Sequence, residues 1–515
     1  MKRNIIFILL AVCSISFTSC NVDTEVYSDI WEDNYYKTPE QIATLIAGAY
    51  SQLAGEYGYV YREGYWSMQE YTSDEVIVPT RGTDWYDGGV PIKMHTHTWE
   101  VDTRDINNGW SFAFGGSRKC NDVLTKLKSI KGEDETQYDA VTKGGIAETK
   151  VLRAFYHLLA MDIYANATID DGRPLEQYSR TEIFNWIEKE IKENLPLLGR
   201  TPRYGSVTVP VAHAMLAKLY LNAEIYTGAP RWKDAANECD SIINGNYGYD
   251  LNDDYFTTFK KDNTGNKEII FPVVFDAKYA HGNMFHLMTM HYTQQEVYGF
   301  TTPTWNGPCT LKSFYDKYSD KDKRKAQWFV GPIQKDGVTL KYSNATLTNA
   351  PAIIVPEVTT IQDPTAANTF EGARFIKFEI EPGIAHHANS DFPIYRYADI
   401  LLMKAEALMR LNGGTATPEA LILVNKVHTR AGLTPYTASE LTLAELLDER
   451  GRELAWEGHR RQDLIRFGKF TNRTWDSGIS GITSVTDDSP NRVIYPIPQW
   501  VLDANPGVYT QNNWR

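Results

Sequence analysis

Through the first half of the chain, apolar residues recur every three or four positions, the spacing of helices that bury one face. Pro39 stands where a helix's first residue belongs, and Ile42, Leu45, Ile46 and Ala49 follow on one side. Residues 105–130 and 139–166 read as a longer pair, the second carrying Val151, Phe155, Leu158 or Leu159, and Ile163 on one side. Between residues 244 and 390 the helical period is lost over long spans, and Gly, Asn, Thr and Pro become frequent. Short strands are expected there at Glu268–Phe275 and Arg374–Ile380, and near the C-terminus at Val493–Ile497.

Two segments have the shape of helical hairpins. Val211–Ile243 sets Ala214, Ala217, Leu221 and Ile225 in one stripe, turns at Gly228-Ala229-Pro230, and resumes as a second helix. Residues 395–414 and 417–432 repeat the plan, with Ala398, Leu402, Ala405 and Leu408 on the packing face. Small residues on one helix let its partner approach closely, as in a tetratricopeptide repeat of about 34 residues. No period is strict, so a helical bundle of other connectivity stays open. The fold class expected is mainly α: a tetratricopeptide-like helical-hairpin scaffold with a loop-rich insertion carrying a few short strands.

Near the C-terminus the pattern is unusual in its charge. Residues 445–466 hold six acids (Glu445, Asp448, Glu449, Glu453, Glu457, Asp463) and five arginines (Arg450, Arg452, Arg460, Arg461, Arg466), and no lysine. Arginine's planar fork holds carboxylates in fixed, partly buried geometry better than lysine does. A buried ion-pair clamp is therefore expected, a solvated charged helix being the alternative.

Lys2 and Arg3 precede an apolar run from Ile5 to Phe17, with Thr18-Ser19 before Cys20, which reads as an export signal. The Phe17-Thr18-Ser19-Cys20 stretch suggests acylation at Cys20, the alternative being an ordinary signal with an incidental cysteine. Loss of Lys2 and Arg3 takes the formal charge from −13 to −15, which argues against nucleic acid and leans toward a neutral ligand. Cys120, Cys239 and Cys309 are too widely spaced for a zinc site or a disulfide framework. The 31 Tyr and 13 Trp supply rings that suit wet binding surfaces as well as cores.

No motif for a hydrolase nucleophile, a zinc protease, a phosphate loop or an EF-hand occurs. A glycosidase needs no local signature, so a surface glycoside hydrolase is not excluded on that ground. His95 with His97, the adjacent His386-His387, and Asp316, Asp320 and Asp322 read as structural, so no metal and no cofactor is expected. What stands out is aromatics in irregular segments. Trp85 and Tyr86 lie between Gly82 and Gly88-Gly89, Trp305 lies between Pro303 and Pro308, and Trp66 sits in EGYWSMQE. Each ring either folds back as a plug or serves as a platform for the C–H face of a sugar. Asp84, Asp87 and Asn306 flank the tryptophans and could bond hydroxyls.

Several separated blocks together resemble the RagB/SusD family, the lipid-anchored glycan-binding proteins of Bacteroidetes outer membranes. They are Cys20, SDEVIVPTRGTDWYDGG with HTW at 97–99, RKCNDVL, WNGPC, YRYADILLMKAEAL, ERGRELAWEGHRRQDLIRFG, and the segment 495–514. The resemblance implies four tetratricopeptide-like hairpins topped by a variable ligand region, and attachment to the outer membrane by lipid, facing the exterior. It implies capture of oligo- or polysaccharide without catalysis, and a SusC-like TonB-dependent transporter as partner. The ligand residues it suggests are Trp85, Tyr86 and Trp305, with Arg374 and Tyr395 as less direct additions. On this reading Glu449, Arg450, Glu453, Glu457, Arg460 and Asp463 tie the last helices to neighbouring hairpins through Arg396 and Glu406. The chain then divides into a signal (1–19), a tether (20–36), an N-terminal helical region (37–243), a variable region (244–394) and C-terminal hairpins packed back as one body (395–515). A helical-repeat adaptor without glycan binding is the remaining rival.

Overall fold

A computed structural model describes residue 36 and residues 38–55, 57–482 and 489–515. The signal, Cys20 and nearly all of the tether lie outside the described residues. The scaffold begins at α1 (Pro39–Tyr50), where Thr38 and Gln41 form a reciprocal capping box and Pro39 occupies the first turn. α1 packs across the antiparallel pair α2 (Arg104–Lys131) and α3 (Ala140–Tyr164). That pair is close because α2 is stripped of side chain at the crossing: a Cβ on Gly116 would sit 2.2 Å from the ring of Tyr156. α4 (Arg180–Asn194) continues the stack beside α3.

The hairpin expected over 211–243 is α5 (Val209–Leu221) against α6 (Trp232–Ile243). Ala214, Ala217 and Leu221 are buried at the contact, but Ile225 belongs to a separate short helix, Ala223–Thr227, that starts after Asn222. The second hairpin is α7 (Tyr397–Leu411) and α8 (Pro418–Arg430), with α6 packed on α7. Helical spacing read α7 as starting at 395, but Tyr395 and Arg396 end a strand. β1 (Ile269–Val273) and β2 (Phe392–Arg396) pair antiparallel at the two ends of the insertion and bring it back onto the scaffold. The fold is mainly helical, as expected.

The insertion is built from two-stranded pieces and long loops. The strand expected at 374–380 shrinks to Arg374–Phe375, paired with Trp328–Phe329. That expected at 493–497 is no strand; Pro490–Val493 forms a 3₁₀ turn, and Tyr495 and Ile497 are buried singly in the core. One apolar core runs from Ile42 through the insertion to Trp514.

α9 (Leu443–Leu454) and α10 (Arg460–Arg466) close the stack, joined by a turn in which Trp456 (φ 62°) and Gly458 (φ 81°) are left-handed. Two buried glutamates hold this turn: Glu75 accepts from the Trp456 amide at 2.9 Å and Glu70 from the Gly458 amide at 2.6 Å. Burial raises both carboxyls, Glu70 to about 8, against the pull of these amides. The folded state thus keeps a proton that the unfolded chain releases near 4.5, so stability falls as pH rises from there to about 8. Glu70→Gln keeps the acceptor and removes the proton. Urea unfolding across that window should show a flatter pH profile and a more stable protein at pH 8, while an unchanged slope would discard the assignment.

Candidate functional site

The loop after residue 80 is wound tightly: Trp85 (φ 61°), Asp87 (φ 44°), Gly88 and Gly89 all take left-handed backbone. This turn drives the Trp85 indole onto the chain at Gly307, where an added Cβ would lie 2.1 Å from the ring. Its Nε1–H donates to the Trp305 carbonyl at 2.7 Å. Trp85 is only 9% exposed. It acts chiefly as the prop of the site, a correction to its reading as a platform standing in a loop. Trp305 is partly exposed and Tyr86 is 46% exposed. The Arg62 guanidinium lies 5.3 Å from the Trp85 ring centre and 5.7 Å from that of Trp305, and is itself held by Glu63 at 2.5 Å. Such a cation over two ring faces fixes their tilt, 47° at 6.4 Å between centres.

Asp84 is exposed beside this pair and accepts from the Tyr292 hydroxyl at 2.5 Å. Tyr292 stacks on Tyr342, 5.8 Å between ring centres and 21° between planes. Trp305 with Arg62 over it, Tyr86 one residue beyond the Trp85 prop, and the Tyr292–Tyr342 stack tied to the same loop through Asp84 are thus the aromatic groups gathered around this turn. Arg62, Tyr292 and Tyr342 were not singled out in the sequence, where each is one of many Arg and Tyr without a local signature.

The other ligand candidates are placed differently. Trp66 is 0% exposed, its Nε1–H donating to the Trp456 carbonyl at 3.1 Å, because its short helix is buried on every side. Tyr395 is in the core, stacked on Phe271, since β2 is covered on both faces. Asn306 is buried and spends its side chain on Thr369 and Arg374. Arg374 offers no fork to solvent: it donates to the carbonyls of Glu371 (2.6 Å), Gly372 (2.7 Å) and Thr369 (3.0 Å). Burial, with Arg81 close by, pushes its guanidinium down to about 9. Arg81 donates to the carbonyls of Asn306, Asn368 and Glu371 in turn. These two arginines replace missing ladder hydrogen bonds and fasten the insertion beneath Trp305. The insertion lacks regular strands, so arginines supply the donors.

Gly307→Ala should displace the Trp85 prop and weaken any ligand bound on this face, with a small change in melting temperature. Ligand titration beside thermal melting checks it, and equal loss of both would mark Gly307 as merely structural.

The charged C-terminal stretch is buried, forming a chain of ion pairs across the scaffold. Arg396 reaches Glu268 (2.8 Å), Glu453 (2.6 Å) and Glu457 (2.6 Å). Glu453 also meets Arg324 at 3.1 Å and Arg430. Glu449 accepts from Arg324 at 2.9 Å and Arg452 at 2.8 Å. Arg450 lies between Asp399 (3.0 Å) and Asp463 (2.7 Å), Arg466 between Glu406 (2.6 Å) and Asp463 (2.8 Å). Arg460 crosses to Asp74 at 2.6 Å. Glu268, Arg324, Asp399 and Arg430 come from elements far off in sequence and were not foreseen.

His95 bonds Asp476 at 2.9 Å, and His97 bonds the Thr72 carbonyl. Asp322 pairs with buried Arg324. Cys120, Cys239 and Cys309 are buried free thiols.

A stack of helical hairpins holding an irregular insertion, with a propped aromatic face where the two meet, is the build of a ligand-binding protein. A model of the SusD family matches residues 267–514. The chain is 26% identical to the starch-binding protein SusD of Bacteroides thetaiotaomicron, over 74% of each chain. It is 22% identical to the SusD-like protein P2 of Formosa agariphila, over 99% of each. Among solved structures, surface glycan-binding protein A from Bacteroides thetaiotaomicron, in complex with laminarihexaose, superposes with a TM-score of 0.73 at 22% identity, covering 93% of this chain and 100% of that one. A SusD superfamily protein from Parabacteroides distasonis gives a TM-score of 0.72 at 20% identity, again covering 93% and 100%. The family model thus covers just under half of the chain, its C-terminal part, while the fold as a whole is shared with the SusD superfamily structure.

Proposed function

We propose that this chain is a cell-surface glycan-binding lipoprotein that captures a neutral oligo- or polysaccharide on the Trp305–Tyr86–Tyr292 face. The observation that carries this reading is the propped indole of Trp305: Trp85 braces its carbonyl, Arg62 lies over its ring, and the ring remains partly exposed. Stiff aromatic faces gain contact area with sugar C–H patches at little cost in entropy. Asp84 and Arg62 sit where they can bond ring hydroxyls. The starch-binding relative and the laminarihexaose complex of a structural neighbour support a glucan as the first ligand to try.

On this reading Cys20 carries the lipid, residues 37–243 and 395–515 form the scaffold, and residues 244–394 form the variable ligand region. The bound glycan passes unchanged to a SusC-like TonB-dependent transporter in the outer membrane. No helix among the described residues is long and apolar enough to cross a membrane. Calorimetric titration of the purified chain with maltohexaose and laminarihexaose tests capture, and chromatography of the same mixtures tests catalysis. Binding without new products supports the reading, whereas steady release of shorter sugars favours a hydrolase. Co-purification of a TonB-dependent transporter with the chain tests the partner.

A further inference from the structure

Residues 381–389 form a strap bonded to the segment that leads into Trp305. The Gly383 amide donates to the Tyr298 carbonyl at 2.9 Å and the Thr301 amide to the Ile384 carbonyl at 3.3 Å. His386 Nδ1 lies 3.5 Å from the Thr302 hydroxyl. Four histidines gather on this strap. The His387 ring stacks on His281, 4.2 Å between centres and 10° between planes, and lies 5.9 Å from the ring of His386. His286, buried in the short helix Phe285–Thr289, donates through Nε2 to the Ala385 carbonyl at 3.2 Å. That helix also holds Trp305, whose amide donates to the Leu287 carbonyl at 2.7 Å.

The group tolerates neutral rings and not charged ones. The Nδ1 atoms of His286 and His387 are each shut from solvent without a hydrogen-bond partner, so a proton added there becomes a donor with nothing to accept it. The carboxylates nearby are bonded elsewhere. On the strap and its ends, Glu381 accepts from Asn389, Glu379 from the Lys261 amide and Lys260, and Asp391 from Tyr204, Thr264 and the Phe275 amide. On the hairpin before His281, Asp276 accepts from the amides of Lys278 and Tyr279, and Lys278 lies over the Tyr279 ring. Tyr298 stacks on Phe300, and the Gly55 amide meets the His281 carbonyl at 2.6 Å, next to Tyr57 and to Glu56, which lies outside the described residues. Burial first, then the neighbouring imidazoles, hold His387 down to about 4, and burial holds His286 at about 4 as well. An imidazole freed by opening returns to 6.5, so the closed strap is fully favoured above that pH and loses this preference as pH falls toward about 4.

We propose that the four histidines make residues 381–389 an acid-released latch: neutral rings hold the strap against the Trp305 segment, and protonation frees both and weakens glycan capture. The effect on capture rests on the reading of Trp305 as a glycan platform, whereas the release itself does not.

Hydrogen exchange read by mass spectrometry on the full chain tests the release without any ligand. After correction for intrinsic rates, opening at residues 381–389 and 298–305 should rise at least about tenfold between pH 7.5 and pH 5, with α3 unchanged as the reference. In His286→Gln/His387→Phe, which keeps a donor to Ala385 and a ring against His281, the rise should stay below about threefold. If that variant does not fold, His387→Phe alone, at a half-buried position, should cut the rise by at least about threefold. Calorimetric titration with maltohexaose and laminarihexaose at the two pH values should show a parallel loss of affinity in the parent and a smaller one in the variant. Flat exchange in the parent, or an equal rise in parent and variants, overturns the latch whatever the glycan result. A rise in exchange with equal affinity at both pH values overturns its link to capture. A rise with no glycan bound at either pH supports the latch and counts against the Trp305 platform instead.

Discussion

Glu453→Ala is expected to lower the unfolding free energy by about 3–5 kcal/mol, the usual cost of removing one partner of a buried ion pair. The reason is local crowding of charge. Glu453 is fully buried and receives Arg324, Arg396 and Arg430. Alanine leaves three guanidinium groups to share Glu449, Glu268 and Glu457. Denaturant unfolding measures the loss, with Glu445→Ala as the comparison. Glu445 meets Arg452 at the protein's edge with its side chain 32% exposed, where a pair contributes less than about 1 kcal/mol. If Glu453→Ala melts like the parent yet binds glycan poorly, the network is part of the ligand site and the structural assignment is wrong. Burial by itself would raise the Glu453 carboxyl, but Arg430, Arg396 and Arg324 outweigh it and hold the group at about 2. Its contribution is therefore complete above the unfolded value of 4.5 and lost as pH falls toward about 2. The parent should lose stability through that acid window more steeply than Glu453→Gln does.

Trp305→Ala should reduce glycan affinity by at least about thirtyfold, near 2 kcal/mol, the scale of an aromatic anchor at the centre of a binding face. Stability should change little, because the indole is partly exposed and Asn306 beneath it stays pinned, its carbonyl by Arg81 and its side chain by Arg374. Tyr86→Ala and Asp84→Asn should give smaller losses, since each sits at the edge of the face. Affinity electrophoresis in starch and laminarin gels, read against thermal melting, separates binding from folding. Unchanged retardation in Trp305→Ala would remove this face from the account and favour a protein–protein adaptor.

Most of the scaffold was legible because helical amphipathicity is a local property. The stripes in α3, α5 and α7 and the opening of α1 at Pro39 need only a few neighbouring residues to act, so their spacing suffices. The insertion was less legible. Its strands are mostly two residues long, and its backbone is held by Arg81 and Arg374 reaching carbonyls elsewhere in the chain, which no periodicity records. The burial of Trp66 and Tyr395 went unseen for a related reason: whether an aromatic in a short irregular segment plugs or protrudes depends on what covers it. Arg62 and Tyr292 illustrate the same limit, since only the folded chain brings them to Trp305 and Asp84.

By itself the sequence determined the helical hairpins, the arginine-rich character of the C-terminal network and two of the segments that supply the aromatic groups, those of Trp85-Tyr86 and Trp305. Each depends on residues close together along the chain. Tertiary structure alone decided which indole is exposed and which acid meets which arginine. Those outcomes are set by contacts between distant segments, whose burial and charge partners do not exist until the chain has closed on itself.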